Sequence, residues 1–480
     1  MRTCTIIIIS EVYSILTRKG QTVMEQNNLK DLLENKKHIH FIGIGGSGMY
    51  PIAQILHSKG YYLTGSDNNP TDTVEAVRKM GIPVTIGQRA ENIEGADLIV
   101  YTAAIMADNP ELIAAKASGV PCIERSIMLG IISRWFSEAL CVCGTHGKTT
   151  TSAMLTQILL DAELDPSAVI GGKLASIGGS GRVGESERFV CESCEFVDTF
   201  LKLAPDTAIL LNIDNDHLDY FKTIENLIAS FRKFCSMATK EIIVCGDDVL
   251  AQKAIDGLDK PIVKYGYGAD NDYVVKNVIN HPGIHMSFEL EHKGENLGTL
   301  ELFVPGKHNV LNATAAAIAA MHSGAEFEQV KNGLANFRGA GRRFEVYGMK
   351  NGITVADDYA HHPTEVKATL EAAKAMDFKR VIAVHQPFTY SRTAALLDEF
   401  AEVLSIADIT VLSQIMGGRE KNTIGIYAKD LADKIEGCVW FETFEEINEH
   451  IKTIAKEGDL IITLGCGDVN KAAKLIFNSI

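Results

Sequence analysis

Apolar residues along this chain gather in short runs, each stopped by glycine or a polar cluster and then followed by helically spaced apolar positions. The run Ile39 to Ile44 predicts a strand that enters Gly43-x-Gly45-x-x-Gly48. The stripe Met49, Ile52, Ile55, Leu56 predicts a helix closed by Gly60, and a second strand, Tyr61 to Thr64, ends at Asp67. A further strand is expected over Asp97 to Tyr101. The rhythm restarts at Leu140. A strand to Cys143 meets Gly144-Thr-His-Gly-Lys-Thr-Thr, and Met154, Leu155 and Ile158 mark a helix. Strands over Phe189 to Cys191 and Ala208 to Ile213 follow, then a small-residue helix, Ala313 to Met321, stopped by Gly324. In the last third, strands are expected at Ile353 to Ala356, Arg380 to Val384, Ile409 to Leu412 and Leu460 to Leu464, with Pro363 opening a helix through Ala375.

Repeated strand–loop–helix units predict an α/β protein with parallel sheets. The expected division is an N-terminal extension, 1–37, then a Rossmann-like domain, 38–138. A central P-loop ATPase domain, 139–344, and a Rossmann-like C-terminal domain, 345–480, complete it.

Composition changes this picture little. A net charge of −15 argues against broad contact with nucleic acid, which needs basic surface, but leaves room for a small anionic ligand held by local amides and lysines. No apolar run approaches the ~18 residues of a membrane helix. The burst Ile6 to Ile9 ends at Glu11 without a cleavage site, so a signal peptide is not expected; residues 1–23 read as an extension, with Met24 the biological start. Ten scattered cysteines fit a reducing cytoplasm. Cys191-x-x-Cys194 lacks a second ligand pair and is expected to hold no metal. His361-His362 is expected to pack at a helix start or touch substrate rather than bind zinc, since no third histidine is near in sequence. Oligomeric state, monomer or weak dimer, is not legible.

The glycine loop at 43–48, between a strand and a helix with an acid at the next strand's end, fits a nucleotide diphosphate at a helix N-terminus, or a tight turn with no ligand. The second loop is shorter than a strict Walker A, because Val142 stands where its first glycine belongs. Its physics is the same: amides cradle phosphate, Lys148 reaches the outer phosphates, and the Thr149 hydroxyl can bind Mg²⁺. Further ligands are offered by the carboxylates of Glu192, Asp214 and Asp216 and by the imidazole of His217. His308, Asn309 and Asn312, at a helix start, read as adenine contacts or as caps.

FIGIGGSGM, GTHGKTTT, NIDNDHLDYF, PGKHNVLNATAA, RRFE, DDYAHHPTEVKATL and QPFTYSRT, in that order from about His38 to the C-terminus, resemble the Mur ligase family. The resemblance implies an ATP- and Mg²⁺-dependent ligase of peptidoglycan synthesis. It would activate the lactyl carboxylate of UDP-N-acetylmuramate as an acyl phosphate, which the amine of L-alanine attacks. It assigns Gly43, Gly45, Gly46, Ser47, Gly48, Asp67 and Thr102 to the UDP-sugar. ATP would fall to Gly144, Thr145, His146, Gly147, Lys148, Thr149, Thr150, His308, Asn309, Asn312, Arg343 and Asp358. Metal ligands would be Thr149, Glu192 and His217, with Glu195 the fallback for Glu192. Tyr359, His361 and Arg392 would surround the amino acid. Lys148, His217, His361 and Arg392 would carry the chemistry.

Departures from the family pattern stand at Gln88, Cys194, Phe388 and Thr389. The rival readings are a sister ligase adding a tripeptide, an NAD-dependent dehydrogenase using only the first glycine loop, and a catalytically inactive homologue.

Overall fold

The computed structural model describes residues 31–281, 283–418 and 420–480, so the expected start at Met24 lies outside the described residues. The chain forms two compact units, one ending at Phe136 and the other running Ser137–Ile480.

In the first unit, β1 (His38–Ile42) leads through the glycine turn to α1 (Tyr50–Ser58), with Pro51 in the first turn, where no amide is missed. β2 (Tyr62–Asp67), β3 (Val84–Ile86), β4 (Leu98–Tyr101) and β5 (Cys122–Glu124) complete a parallel sheet in the order β3-β2-β1-β4-β5. β1 is central and covered on both faces, so even its one interior polar residue, His40, is buried and paired with Glu111 at 2.7 Å. The strand order reverses beside β1, so its glycine turn opens at the switch point where such sheets bind ligands.

The second unit holds two sheets. The larger is built from β6 (Glu138–Cys143), β7 (Ser167–Leu174), β8 (Gly179–Arg182), β9 (Arg188–Glu192), β10 (Thr207–Leu210), β11 (Glu241–Cys245), β12 (Ile262–Gly266), β13 (Tyr273–Asn280), β14 (Met286–His292) and β15 (Glu295–Leu302). Its order is β15-β14-β13-β12-β11-β10-β6-β9-β7-β8. The centre is parallel; β13 to β15 form an antiparallel meander, and β8 pairs antiparallel with β7. A bulge interrupts β14–β15 between Leu290 and Glu291, opposite Gly298 at φ +135°. Behind the sheet pack α2 (Lys148–Asp161), α3 (Lys307–His322) and α4 (Phe327–Asn336), whose Leu155, Ile158, Ala316, Ala320 and Leu334 share one core. The alanines of α3 let it lie close on α2.

The smaller sheet comprises β16 (Glu345–Lys350), β17 (Ile353–Asp358), β18 (Arg380–His385), β19 (Ile409–Ser413), β20 (Val439–Phe441) and β21 (Asp459–Leu464), in the order β16-β17-β21-β18-β19-β20. All pairs but β16–β17 are parallel. α5 (Pro363–Lys374) covers one face through Val366 and Leu370, while α7 (Phe444–Ile454) and α8 (Asn470–Ser479) cover the other through Ile447, Ile451 and Ile476; between them in sequence, α6 (Tyr390–Ala395) caps the mouth after β18. The molecule is thus mixed α/β with three largely parallel sheets. Among the described residues no helix is long and apolar enough to cross a membrane.

Two expected elements have different limits. The strand expected to reach Ile213 stops at Leu210, because Asn212 leaves the ladder to serve the neighbouring loop: its backbone carbonyl accepts from Thr145 N at 3.0 Å and its Oδ1 from His146 N at 2.8 Å. The helix expected from Ala313 begins at Lys307 behind Gly306, so His308, Asn309 and Asn312 lie in its first turns rather than capping it.

Candidate active site

In the first unit the glycine turn is gripped by neighbours. Asp67, at the end of β2, accepts from Gly45 N at 3.0 Å and from Asn69 N at 3.1 Å. Thr102 packs on Gly43, and the Arg125 side chain lies over Gly48, a contact no motif announced. Gly46 and Ser47 are exposed at the crest of the turn. Gln88 joins Asn68 and Asn109, accepting from both side-chain amides.

In the second unit, β6 delivers Gly144 to Gly147 into the N-terminus of α2. Gly147 has φ +87°, and a Cβ there would collide with Asn312 Oδ1, so only glycine lets α3 approach the loop. Lys148 folds back over the loop: its Nζ donates to the carbonyls of Gly144 (2.5 Å) and Thr145 (3.0 Å) and lies 2.9 Å from Glu195. Burial opposes its charge, but the carboxylates around it, Glu195 foremost and Glu192 behind it, together hold the ammonium's pKa above its ordinary value. Thr149 donates to Glu192 Oε1 at 3.0 Å, and the other Glu192 oxygen accepts from Gly171 N at 2.6 Å. Gly171 has no room for a side chain, since a Cβ would sit 2.5 Å from that carboxylate. Thr150 lies beneath the loop in the cavity wall.

His217 Nε2 stands 3.7 Å from Glu195 and 3.6 Å from Asp216. Burial lowers its pKa despite these acids, leaving a neutral ring with a lone pair to offer. The segment between them is strained. Val197, Asp198 and His217 all have positive φ, and Phe196 lies against the His217 ring at 4.8 Å. Asp198 ties the turn down, accepting from Tyr220 Oη at 2.8 Å and from Ser230. Burial pushes the Cys194 thiol, beside Lys148, up to about 11.

The second sheet of this unit supplies the opposite wall. Arg342 and Arg343 sit on the connecting segment, each with its guanidinium carbon 5.0 Å from the centroid of the Tyr359 ring. Arg342 locks the segment to the sheet by donating to Asp357 at 2.8 Å and to the carbonyls of Gly465 and Gly467. Arg343 instead reaches toward Thr149 Oγ1, 3.5 Å away. Asp358 accepts from Phe344 N and Ala360 N; burial pushes its carboxyl up to about 6 although Arg343 pulls it down. His361 Nδ1 lies 3.1 Å from Glu365, and Arg392 donates to Asp216 at 3.1 Å. Arg392 stands on α6, whose N-cap, Thr389, has φ +62°, while Phe388 packs toward Gly418.

Between these walls lies a cavity of about 450 Å³ lined by His146, Asp214, Tyr265, Asn309, Arg343 and Asp358 among others. His308 is at its rim, and the amides here make no cap: Asn309 donates to Pro305 O at 2.6 Å and Asn312 to Asn309 Oδ1 at 3.0 Å. His146 bridges the walls, with Asp214 3.0 Å from Nε2 and Glu365 3.2 Å from Nδ1. Burial alone would lower its pKa, but the two carboxylates carry it up to about 9. Of the histidine pair, His362 stands at the helix start as expected, the N-cap of α5, and folding adds a neighbour that the local sequence does not show: the His146 ring lies 5.5 Å from it. Asn212, Thr364 and Glu365 enter the site without having been assigned roles in it.

Three family descriptions match in order: Mur ligase family, catalytic domain, over residues 38–137; Mur ligase middle domain over 142–320; and Mur ligase, glutamate ligase domain, over 342–467. The chain belongs to the Mur ligase family. Among its Mur ligase relatives, a protein of Caldanaerobacter subterraneus subsp. tengcongensis named UDP-N-acetylmuramate–L-alanine ligase is 44% identical over 91% of this chain and 96% of its own. One of the same name from Agathobacter rectalis is also 44% identical, over 90% and 96%. The crystal structure of UDP-N-acetylmuramate–alanine ligase from Thermotoga maritima superimposes with a TM-score of 0.79 at 28% identity, covering 92% of this chain and 99% of that one. A murein peptide ligase from Psychrobacter arcticus gives 0.70 at 25% identity, over 92% and 98%. Mur ligase membership also disposes of the dehydrogenase reading.

Proposed function

We propose that this chain is the ATP-dependent ligase that joins L-alanine to the lactyl carboxylate of UDP-N-acetylmuramate in peptidoglycan precursor synthesis, releasing ADP and phosphate. The observation that carries the chemistry is Lys148, half-buried at the start of α2 beside two carboxylates, a histidine and the Arg343 guanidinium. The 44% identity to ligases of that name supports the substrates.

A carboxylate is a poor acceptor for an amine until a leaving group is installed. The lactyl oxygen attacks the γ-phosphorus, the bond to the β-bridging oxygen breaks, and ADP departs. The alanine amine then adds to the acyl carbon, phosphate leaves, and the amine proton is lost. Lys148 and Arg343 offset charge on the transferring group. The loop amides from Gly144 to Thr150 cradle the phosphates. The cavity beside His308, Asn309, Asn312 and Asp358 takes the adenosine, and Tyr359, His361 and Arg392 flank the alanine. Gly43, Gly45, Gly46, Ser47, Gly48, Asp67 and Thr102 hold the UDP-sugar.

Lys148 and Arg343 do no more than balance Glu192 and Glu195, so a triphosphate arriving alone would find no surplus of positive charge. A divalent ion suits that donor set, with Thr149, Glu192 and His217 as ligands and Glu195 adjacent. Mg²⁺ held there supplies charge neutralisation on the phosphates. The buried free thiols suit a reducing compartment, the cytoplasm.

The test is ADP release with ATP, Mg²⁺ and UDP-N-acetylmuramate, with and without L-alanine. Turnover should require the amino acid, and Lys148→Ala should lower kcat by roughly a hundredfold or more. Turnover with a tripeptide but not with alanine would assign the chain to the sister activity instead.

A further inference from the structure

Where the two sheets of the second unit meet, three side chains converge that the ligase reaction does not need together. His146 and Asp214 come from the larger sheet's loops and His362 from the N-cap of α5. One donor atom from each lies within 4.8 Å of the others. The cluster is not a solvated surface group. His362 is only 6% exposed, and its Nε2 is buried with no hydrogen-bond partner among the described residues. A buried imidazole nitrogen left unsatisfied costs free energy unless something else occupies it.

The surroundings have the layout of a metal site. His146 keeps Nδ1 against Glu365, 3.2 Å away, the carboxylate–imidazole pairing that orients a ligating ring and raises its basicity. Asp214 is fixed by the Thr364 hydroxyl at 2.7 Å and by Asn215 N at 2.7 Å. What now joins His146 Nε2 to Asp214 is a hydrogen bond of 3.0 Å. The contact that must yield is the longest in the group, Thr364 N to His362 Nδ1 at 3.4 Å.

We propose that His146, Asp214 and His362 form a site for a divalent transition-metal ion of the zinc class. Two nitrogens and one oxygen, with a fourth position open to water, is a donor set such ions accept and Mg²⁺ does not favour. The ion takes the place of the proton on His146 Nε2. Because its donors come from both sheets, it pins α5 to the phosphate loop and holds the nucleotide cavity in this arrangement. The site is separate from the Thr149, Glu192 and His217 set and does not depend on the ligase reading.

Co²⁺ uptake and its visible absorption report the site directly. Nucleotide-free protein is titrated with CoCl₂ beside His362→Asn, which keeps an N-cap acceptor while removing the ligand. The wild type should take up one more Co²⁺ than the variant, with a d–d band that the variant lacks, and ZnCl₂ should displace it. ZnCl₂ should also raise the wild-type Tm by several degrees more than that of His362→Asn. Equal uptake and equal Tm shifts would overturn the site. Should the asparagine variant fail to fold, His362→Gln replaces it; a wild-type Co²⁺ spectrum showing only octahedral, oxygen-rich coordination overturns the proposal without any variant.

Discussion

The His385 ring closes β18 at zero exposure, with Nδ1 3.1 Å from the Leu464 carbonyl and Nε2 facing no partner among the described residues. Burial pushes its pKa down to about 4. In the unfolded chain the same ring titrates near ~6.5. As pH falls from ~6.5 to ~4, the unfolded state binds a proton that the native state refuses, so native stability drops, by up to about 3 kcal/mol once both limits are passed. Urea melts of wild type and His385→Gln across that window should show a shallower acid loss in the variant; identical slopes would mean the buried ring contributes nothing. Single residues also mark how far a sequence can be read. Lys148, Thr149 and Glu192 were legible because a phosphate loop and a strand-end acid are local patterns. Glu365 was not, because its partner His146 lies 219 residues away and only folding introduces them. Asn212 was hidden for another reason: it sits inside an apolar run whose pattern says strand, and its side chain takes it out of the ladder.

At the level of elements, strand and helix periodicity located the central features of all three sheets, while their ends moved wherever a side chain competed with the backbone. The turn after β9 is the sharpest such case. Val197 and Asp198 sit at φ +55° and +57°, a conformation that costs an L-residue roughly 1–2 kcal/mol and a β-branched one at least that. No pattern of apolar positions announces it, because the strain is imposed by the contacts of Phe196 and Asp198 with the segment carrying His217 and Tyr220. Val197 is 47% exposed, so little packing is lost on replacing it. Val197→Asn, which tolerates the left-handed region, should therefore stabilise the protein by about 1 kcal/mol in chemical denaturation. A clear loss of stability would show that the valine holds the turn through packing instead.

For the whole molecule, the division at Phe136 has a testable corollary. The ATP-contacting groups proposed above, from Gly144 to Asp358, belong to the second unit, and each of its sheets is covered by its own helices and core. A fragment spanning 137–480 should fold and bind ATP with Mg²⁺ within a few-fold of the full chain by calorimetry, while losing all ligase turnover. Failure to bind nucleotide would mean that the second unit does not form the cavity by itself. The large sheet has one more property, set by its outermost strand. β15 turns exposed Glu295, Asn296, Thr299 and Glu301 outward, and the bulge opposite Gly298 breaks its regular run of free amides and carbonyls. Such an edge is a poor template for a strand from another copy, because docking would bury like charges and find the backbone out of step. The meander thus ends its side of the ten-stranded sheet without inviting a further strand from a neighbour, which guards that edge against pairing between copies at high concentration.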